Sequence, residues 1–100
     1  MIDGGDRTLL IVVYNSRWSS PDRVVLGMII DLRLEEAREL VESFGDRPVS
    51  VDLIDLLRET ANIRLVAEMH GDSVLASKVI DGLRSWAARC GFDCVVHGAL

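Results

Sequence analysis

Apolar residues occur in runs and repeats that predict alternating strands and helices along the chain. Residues 9–14 are six consecutive apolar side chains rich in β-branched types, which is typical of a central strand covered on both faces. Residues 24–30 form a second apolar run, and its β-branched content and Gly27 favour a strand that makes a hairpin with the first. The alternative for residues 22–31 is a helix, because Ser20, Pro21 and Asp22 make a good helix start.

A helical period follows in residues 34–44. Its apolar residues lie on one side, its charged residues lie on the other, and Gly45 marks its end. Residues 51–61 predict a second helix that begins after Ser50. The apolar side chains that this helix would bury are Leu53, Ile54, Leu56 and Leu57.

The last third of the chain predicts a strand, a long helix and another strand. Residues 62–70 alternate between apolar and mixed positions, as a half-buried strand does. Residues 73–90 form the clearest amphipathic helix of the sequence, with Asp72 or Ser73 as its N-cap and Gly91 as its stop. Residues 92–97 predict the final strand.

These elements predict an α/β domain of the two-layer α+β type. We expect a mixed sheet of about four strands with three helices, in the order ββααβαβ, and a right-handed parallel crossover through the helix at 73–90. Residues 1–6 are expected to be a flexible leader, and residues 7–100 a single domain. The sheet face opposite that helix is expected to be solvated, covered by the first two helices, or paired with a second copy.

Composition narrows the classes of function. The chain has 100 residues, of which 49% are hydrophobic, and its mean hydropathy is +0.25. So much apolar surface on a small domain predicts self-association. The net charge of −5 argues against general binding of nucleic acid, and no apolar run is long enough to span a membrane. With two cysteines and no signal peptide, the expected location is the cytoplasm, and we expect no cofactor.

Two histidines are the main candidates for chemistry. His70 and His97 lie at the ends of the last two predicted strands, and alternation places them on the face away from the helix at 73–90, together with Glu68. Imidazoles and a carboxylate in that arrangement could transfer a proton or bind a metal. The alternative is that these polar residues at strand ends are solvated.

A serine at the start of the long helix is a second catalytic candidate. Gly71, Asp72 and Ser73 follow a strand and open a helix, a place where helix N–H groups can stabilise an oxyanion. The three residues resemble the start of the block found in GDSL-type esterases, with Val74 in place of the leucine. That family's later Asp-x-x-His has no counterpart, since Asp93 and His97 are four apart. Helix capping explains Asp72 and Ser73 without catalysis.

The spacing Cys-x3-Cys-x2-His at Cys90, Cys94 and His97 is superficially that of a zinc site. Cys90 falls on the apolar side of its helix, and Cys94 and His97 fall on opposite faces of a strand, so we expect no metal site and two thiols that pack as small apolar groups. In the loop after the first strand, Trp18 beside Arg17 has the composition of an interface hot spot. The alternative is that Trp18 folds back over the sheet edge.

These observations predict a small non-catalytic regulatory or adaptor domain that acts through protein–protein contacts, as a homodimer. One alternative is a small enzyme, or a subunit of one, that uses His70 and His97. Another is a structural assembly component.

Overall fold

The computed structural model describes residues 7–15, 23–47, 49–54 and 63–98. The expected leader at 1–6 and most of the loop that carries Arg17 and Trp18 lie outside the described residues. Within the described ranges the chain forms five strands and two helices. These are β1 Thr8–Asn15, β2 Arg23–Leu32, α1 Leu34–Phe44, β3 Val49–Ile54, β4 Ile63–Asp72, α2 Ser73–Cys90 and β5 Asp93–His97.

The strands form one mixed sheet in the order β3-β4-β2-β1-β5. β2 is antiparallel to both of its neighbours, β3 is antiparallel to β4, and β5 is parallel to β1. The α+β class with a mixed sheet is therefore confirmed. The details were wrong: in the described part of the chain there are five strands and two helices, in the order ββαββαβ, where four strands and three helices were expected.

The second predicted helix accounts for that difference. Where it was expected to begin, the chain forms β3, in which Leu53 pairs with Leu65 of β4. Ser50, expected as an N-cap, lies within the strand, and Leu53 and Ile54, expected to be buried, are 46% and 44% exposed. Residues 55–62, with Leu56 and Leu57, lie outside the described residues.

The sequence of β3 explains why its helical interpretation failed. From Val49 to Leu53 apolar and polar residues also alternate with a period of two, so the segment fits a strand as well as a helix. The edge of β4 offers backbone donors and acceptors that need partners, and pairing with them satisfies both strands. The non-local contact therefore decides the structure of this segment.

The strand interpretation of the second apolar run is confirmed, because β2 forms an antiparallel hairpin with β1. The expectation that β1 is covered on both faces was wrong. Leu9, Ile11 and Val13 are buried, whereas Tyr14 on the other face is 45% exposed. Both helices pack on the same side of the sheet, so the apolar residues on the second face of β1 are left uncovered by the described elements.

The core lies between the sheet and its two helices. Every second residue of β1, β2 and β4 points into it, and α1 contributes Ala37, Leu40 and Phe44. The contribution of α2 is Ala76, Val79, Ile80, Leu83, Trp86 and Ala87. Full burial of each large aliphatic side chain stabilises the fold by roughly 1.5 to 3 kcal/mol, so this single layer of contacts holds the domain together.

The helix at 73–90 is confirmed with its expected bounds. The Asp72 carboxylate accepts a hydrogen bond from the Leu75 N–H at 2.7 Å, which satisfies a donor of the first turn. Gly91 ends the helix with φ 79°, a left-handed conformation that glycine adopts without strain. Neither helix of the described ranges is long and apolar enough to cross a membrane.

The crossover through α2 places β5 away from β4. Both strands run in the same direction, but β2 and β1 lie between them. The two edges of β4 are occupied by β2 and β3, so β5 pairs with the free edge of β1 instead. At the start of β5 the Asp93 N–H donates to the carbonyl of Arg7 at 3.0 Å.

Candidate interaction surface

The sheet face opposite the two helices is the most distinctive surface of the described chain, and we call it the open face. Its centre is apolar and consists of Leu10, Val12, Tyr14, Gly27, Ile29, Val66 and Val95, whereas Val25 on the same face is only 3% exposed. Ile29, Tyr14 and Val95 are each 45% exposed. Antiparallel sheets often leave one face in water, but that face is then usually polar. Exposed apolar patches of this kind are characteristic of interaction sites.

Strand register sets four apolar side chains of the open face in one row. Ile29 lies opposite Val66 on one side and opposite Leu10 on the other, and Leu10 lies opposite Val95. The row therefore crosses four adjacent strands without a polar side chain. Directly opposed residues on one face are in contact, so the row forms a continuous apolar surface.

Beside this row the surface has a notch at Gly27. A side-chain carbon placed on Gly27 would meet no atom within 4 Å, so its missing side chain leaves space on the open face. Its register neighbours are Val12 and Glu68. Ile29 protrudes two residues away on the same strand, so a projection and a notch lie side by side.

Polar groups of both signs surround the apolar centre. Arg64 pairs with Asp31 at 3.2 Å between Nε and Oδ1, and both side chains are about half exposed. His70 lies 3.6 Å from Glu68, measured from Nε2 to Oε2. Exposed pairs such as these contribute little to stability, and a mixed rim of this kind is typical of protein interfaces.

The histidines do not form one site. His70 and Glu68 on β4 and His97 on β5 all lie on the open face, as alternation predicts. However, β2 and β1 lie between them, and three strand spacings of about 4.8 Å separate β4 from β5 by roughly 14 Å. Glu68 and His70 are more than half exposed, and that distance prevents them from sharing a proton or a ligand with His97.

The two cysteines pack against the core and are half-buried. Burial raises the pKa of the Cys90 thiol, and the carboxylates of Glu36 and Glu39 raise it further. Burial also raises the pKa of the Cys94 thiol, against the opposing effect of Arg84. Both therefore stay protonated near neutral pH and are poor nucleophiles. In the described ranges, no three side chains of the metal-binding types lie close enough together to hold an ion.

Ser73 is the first residue of α2, and its neighbour Asp72 is the N-cap. Replacement of Asp72 by alanine is expected to lower the free energy of unfolding by about 1 kcal/mol, because the Leu75 N–H loses its acceptor. Ser73→Ala is the matched control and should change it by less than about 0.5 kcal/mol. Urea denaturation of both variants checks this, and equal losses would contradict the assignment of Asp72 as the cap.

An ionic and aromatic cluster ties α1 to the first residues of the sheet. Arg7 forms an ion pair with Glu36 of α1, and its guanidinium lies 4.0 Å above the Phe92 ring. That ring stacks on Trp86 with 5.4 Å between centroids. The Glu36 carboxylate also accepts a hydrogen bond from the Arg33 N–H at 3.0 Å. The cluster joins β1, α1, α2 and β5 at one end of the domain.

Glu36 makes the stability of the fold depend on pH. Burial raises its pKa, but the hydrogen bonds from Arg7 and Arg33, together with the charges of both arginines, outweigh burial and hold the pKa below its ordinary value of 4.5. A carboxyl with a lowered folded-state pKa stabilises the protein above its unfolded pKa, and that stabilisation is lost as pH falls through the folded pKa.

We therefore expect Glu36→Gln to lower the free energy of unfolding by roughly 1 to 2 kcal/mol at neutral pH. Below about pH 4.5 the difference from the unmodified protein should shrink, because the native carboxyl is then being protonated as well. Chemical denaturation over a pH series measures this, with Glu35→Gln in the same turn as control. A difference that stays constant with pH would refute the role of the charge.

Several residues of functional interest were not identified from the sequence. Leu10 and Ile29 belong to apolar runs that fit a core strand, and Val66 lies on the mixed face of an alternating strand. The uncovered face emerges only once both helices are placed on one side. A cationic set is also divided between α2, which carries Lys78 and Arg89, and the turn after α1, which carries Arg47. The sequence feature that could have drawn attention to this region is Gly82, because a glycine in the middle of a helical pattern is unusual.

Comparison of the chain with protein-family models, with curated proteins and with solved structures gave no match.

Proposed function

We propose that this protein is a small regulatory or adaptor domain that forms a homodimer through the open face. The observation that carries the proposal is the row of Val66, Ile29, Leu10 and Val95, four apolar side chains side by side on a sheet face that no described element covers. Burying such a row against a second copy removes apolar surface from water, which is the main driving force of association.

The size of the open face fits a dimer of modest affinity. Four strands about 4.8 Å apart, each contributing about six residues at about 3.3 Å, give a patch of roughly 20 by 20 Å. Two such patches bury on the order of 1,000 Å² of accessible surface, at the lower limit for a specific interface. We therefore expect reversible association and not an obligate dimer.

The open face is also complementary to itself. Consider two copies packed face to face about a two-fold axis that lies in the interface and runs across β2 at Met28. This axis places Ile29 of one copy against the notch at Gly27 of the other. Each copy then supplies one projection and one notch, as a two-fold interface requires.

The second part of the proposal is a regulatory or adaptor role. It is supported by the position of the candidate catalytic residues, because two strands lie between His97 and the pair Glu68 and His70, so the three cannot act at one site. A net charge of −5 disfavours nucleic acid as the partner. Half-buried free thiols at Cys90 and Cys94 are typical of a reducing compartment, so we place the protein in the cytoplasm.

Replacement of Val95 by lysine tests the dimer, because it puts a charge in the apolar row. Light scattering after size exclusion should show the unmodified protein rising from 11.1 kDa towards twice that mass as concentration increases. Val95→Lys should raise the dissociation constant by about tenfold or more. Val74→Lys is the matched control on α2: Val74 is 65% exposed but distant from the open face, so association should persist. Equal effects of the two substitutions, or a monomer at every concentration, would refute the proposal.

A further inference from the structure

A groove lies between α1 and α2, on the side of the domain opposite the open face. Its cavity measures about 130 Å³. The buried side chains of Leu40, Phe44 and Trp86 form its apolar floor, and the exposed side chains of Arg47, Lys78 and Arg89 lie around its mouth. The groove is therefore apolar inside and cationic outside.

The charge of the groove is opposite to that of the chain. None of its lining residues is acidic, although the protein has a net charge of −5. Among the described residues, the ion pairs involve Arg7, Arg64 and His70, and none involves the three cations of the groove. Within the described ranges the Arg47 guanidinium donates to the carbonyl of Ser43, at 3.3 Å. A concentration of unpaired cations around an apolar cavity favours an anionic partner.

Gly82 gives an independent reason to regard the groove as a binding site. It lines the groove from the middle of the 18-residue helix α2, where glycine costs helix stability. A side-chain carbon at this position would meet no atom within 4 Å, so internal packing does not require glycine there. Its backbone does not require it either, because the positive-φ glycines of the described chain are Gly45, Gly91 and Gly98. What the missing side chain provides is open space in the groove.

We propose that the groove docks an acidic peptide segment of another protein. One apolar side chain of that segment enters between α1 and α2, and flanking carboxylates lie beside Arg47, Lys78 and Arg89. The volume of about 130 Å³ is close to the roughly 150 Å³ of a cavity that holds a benzene ring, so the groove has room for one apolar side chain. A small inorganic anion would leave the apolar floor in water, and an uncharged peptide would not use the three cations. The sheet separates the groove from the open face, so this proposal does not depend on dimer formation.

The test uses a fluorescent peptide in which one phenylalanine is flanked on both sides by glutamates. Fluorescence anisotropy measures its binding to the full chain, and Trp86 emission gives a second signal in a Trp18→Phe background, which leaves Trp86 as the single tryptophan of the sequence. Saturable binding that changes Trp86 emission is expected. Peptides with alanine in place of phenylalanine, or glutamines in place of glutamates, should bind about tenfold more weakly or worse.

Substitutions in α2 locate the binding site. Lys78→Glu and Arg89→Glu should each weaken binding by about tenfold or more, whereas Arg84→Glu, the same change on the same helix outside the groove lining, should leave it nearly unchanged. Gly82→Leu should abolish binding by filling the groove while leaving the melting temperature unchanged or higher, because leucine is the better helix former.

Other outcomes would overturn the proposal. They include equal losses from Arg84→Glu and Lys78→Glu, full binding by Gly82→Leu, and equal binding of the peptide without phenylalanine, which would indicate attraction by charge alone. Displacement of the peptide by an equal concentration of inorganic phosphate would indicate a simple anion site. Absence of binding by every peptide would also overturn it. Val95→Lys should bind the peptide normally, so failure here is distinguishable from failure of the dimer.

Discussion

Replacement of Ile30 by alanine should lower the free energy of unfolding by about 4 kcal/mol, within the range of 2 to 5 kcal/mol for such truncations in a core. Ile30 is 1% exposed, faces both helices and lies opposite Leu65 of β4. Its removal leaves a cavity in the layer that holds the helices to the sheet. A small domain has only about 5 to 15 kcal/mol in total, so this variant should be close to unfolding at room temperature.

The adjacent residue provides a matched control for the two-layer arrangement. Ile29 has the same side chain in the same strand but lies on the open face, 45% exposed. At low protein concentration Ile29→Ala should cost less than about 1 kcal/mol. At high concentration its cost should increase, since dimerisation would stabilise the folded state and Ile29 lies in the proposed interface. Urea denaturation at both concentrations measures this. Equal costs for the two isoleucines at low concentration would contradict a sheet covered on one face.

Replacement of Phe92 by alanine is expected to be similarly damaging, with a loss of about 4 kcal/mol. Phe92 is 6% exposed, stacks on Trp86 and lies under the Arg7 guanidinium, and its N–H donates to the Ala87 carbonyl at 2.8 Å. The ring therefore joins the end of α2 to the start of β5. Its removal should free β5 from β1 before the remaining sheet opens.

Phe92→Leu separates the aromatic contacts from burial alone. Leucine retains an apolar side chain but loses the stack on Trp86 and the contact with Arg7, so we expect a loss of roughly 1.5 to 2 kcal/mol. Urea denaturation gives the totals, and amide hydrogen exchange should show faster opening at β5 in the alanine variant. A loss below about 1 kcal/mol in Phe92→Ala would mean that the ring does not anchor β5.

Much of this fold follows from local patterns. The sequences of α1 and α2 are amphipathic, and each helix has one orientation that buries its apolar side. Their ends follow from Gly45, Gly91 and the Asp72 cap. The apolar run of β1 and the alternation of β4 also predict their strands, and for β2 the β-branched content and Gly27 favoured a strand over the helix that was the alternative. In each case the residues within the segment determine its structure, and no distant contact opposes them.

The errors have a common physical origin in non-local pairing. The segment that forms β3 fits both a helix and a strand, and only the edge of β4 decides between them. Once β3 occupies that edge, β5 pairs with β1, which separates His97 from His70. The period of two placed both histidines on one face, but their separation depends on strand order, which single segments do not encode.

The two proposed surfaces give the domain separate roles for its two sides. The open face uses apolar area and shape, which suits a second copy of the same chain. The groove uses cations around a small apolar cavity, which suits an acidic segment of a different protein. A domain that dimerises through its sheet and binds peptides through its helices presents two identical grooves, so a partner with two acidic segments gains from binding both.

Self-association through the open face can be observed by NMR on a mixture of isotope-labelled and unlabelled protein. An experiment filtered for contacts between molecules detects only protons that are close across the interface. We expect contacts across the interface between Ile29 and Gly27 and between the methyl groups of Leu10 and Val12, which the two-fold axis near Met28 brings together. Contacts that instead involve exposed apolar residues of the helical side, such as Leu34, Val41 or Val74, would contradict the account, as would a monomer with no contacts at high concentration.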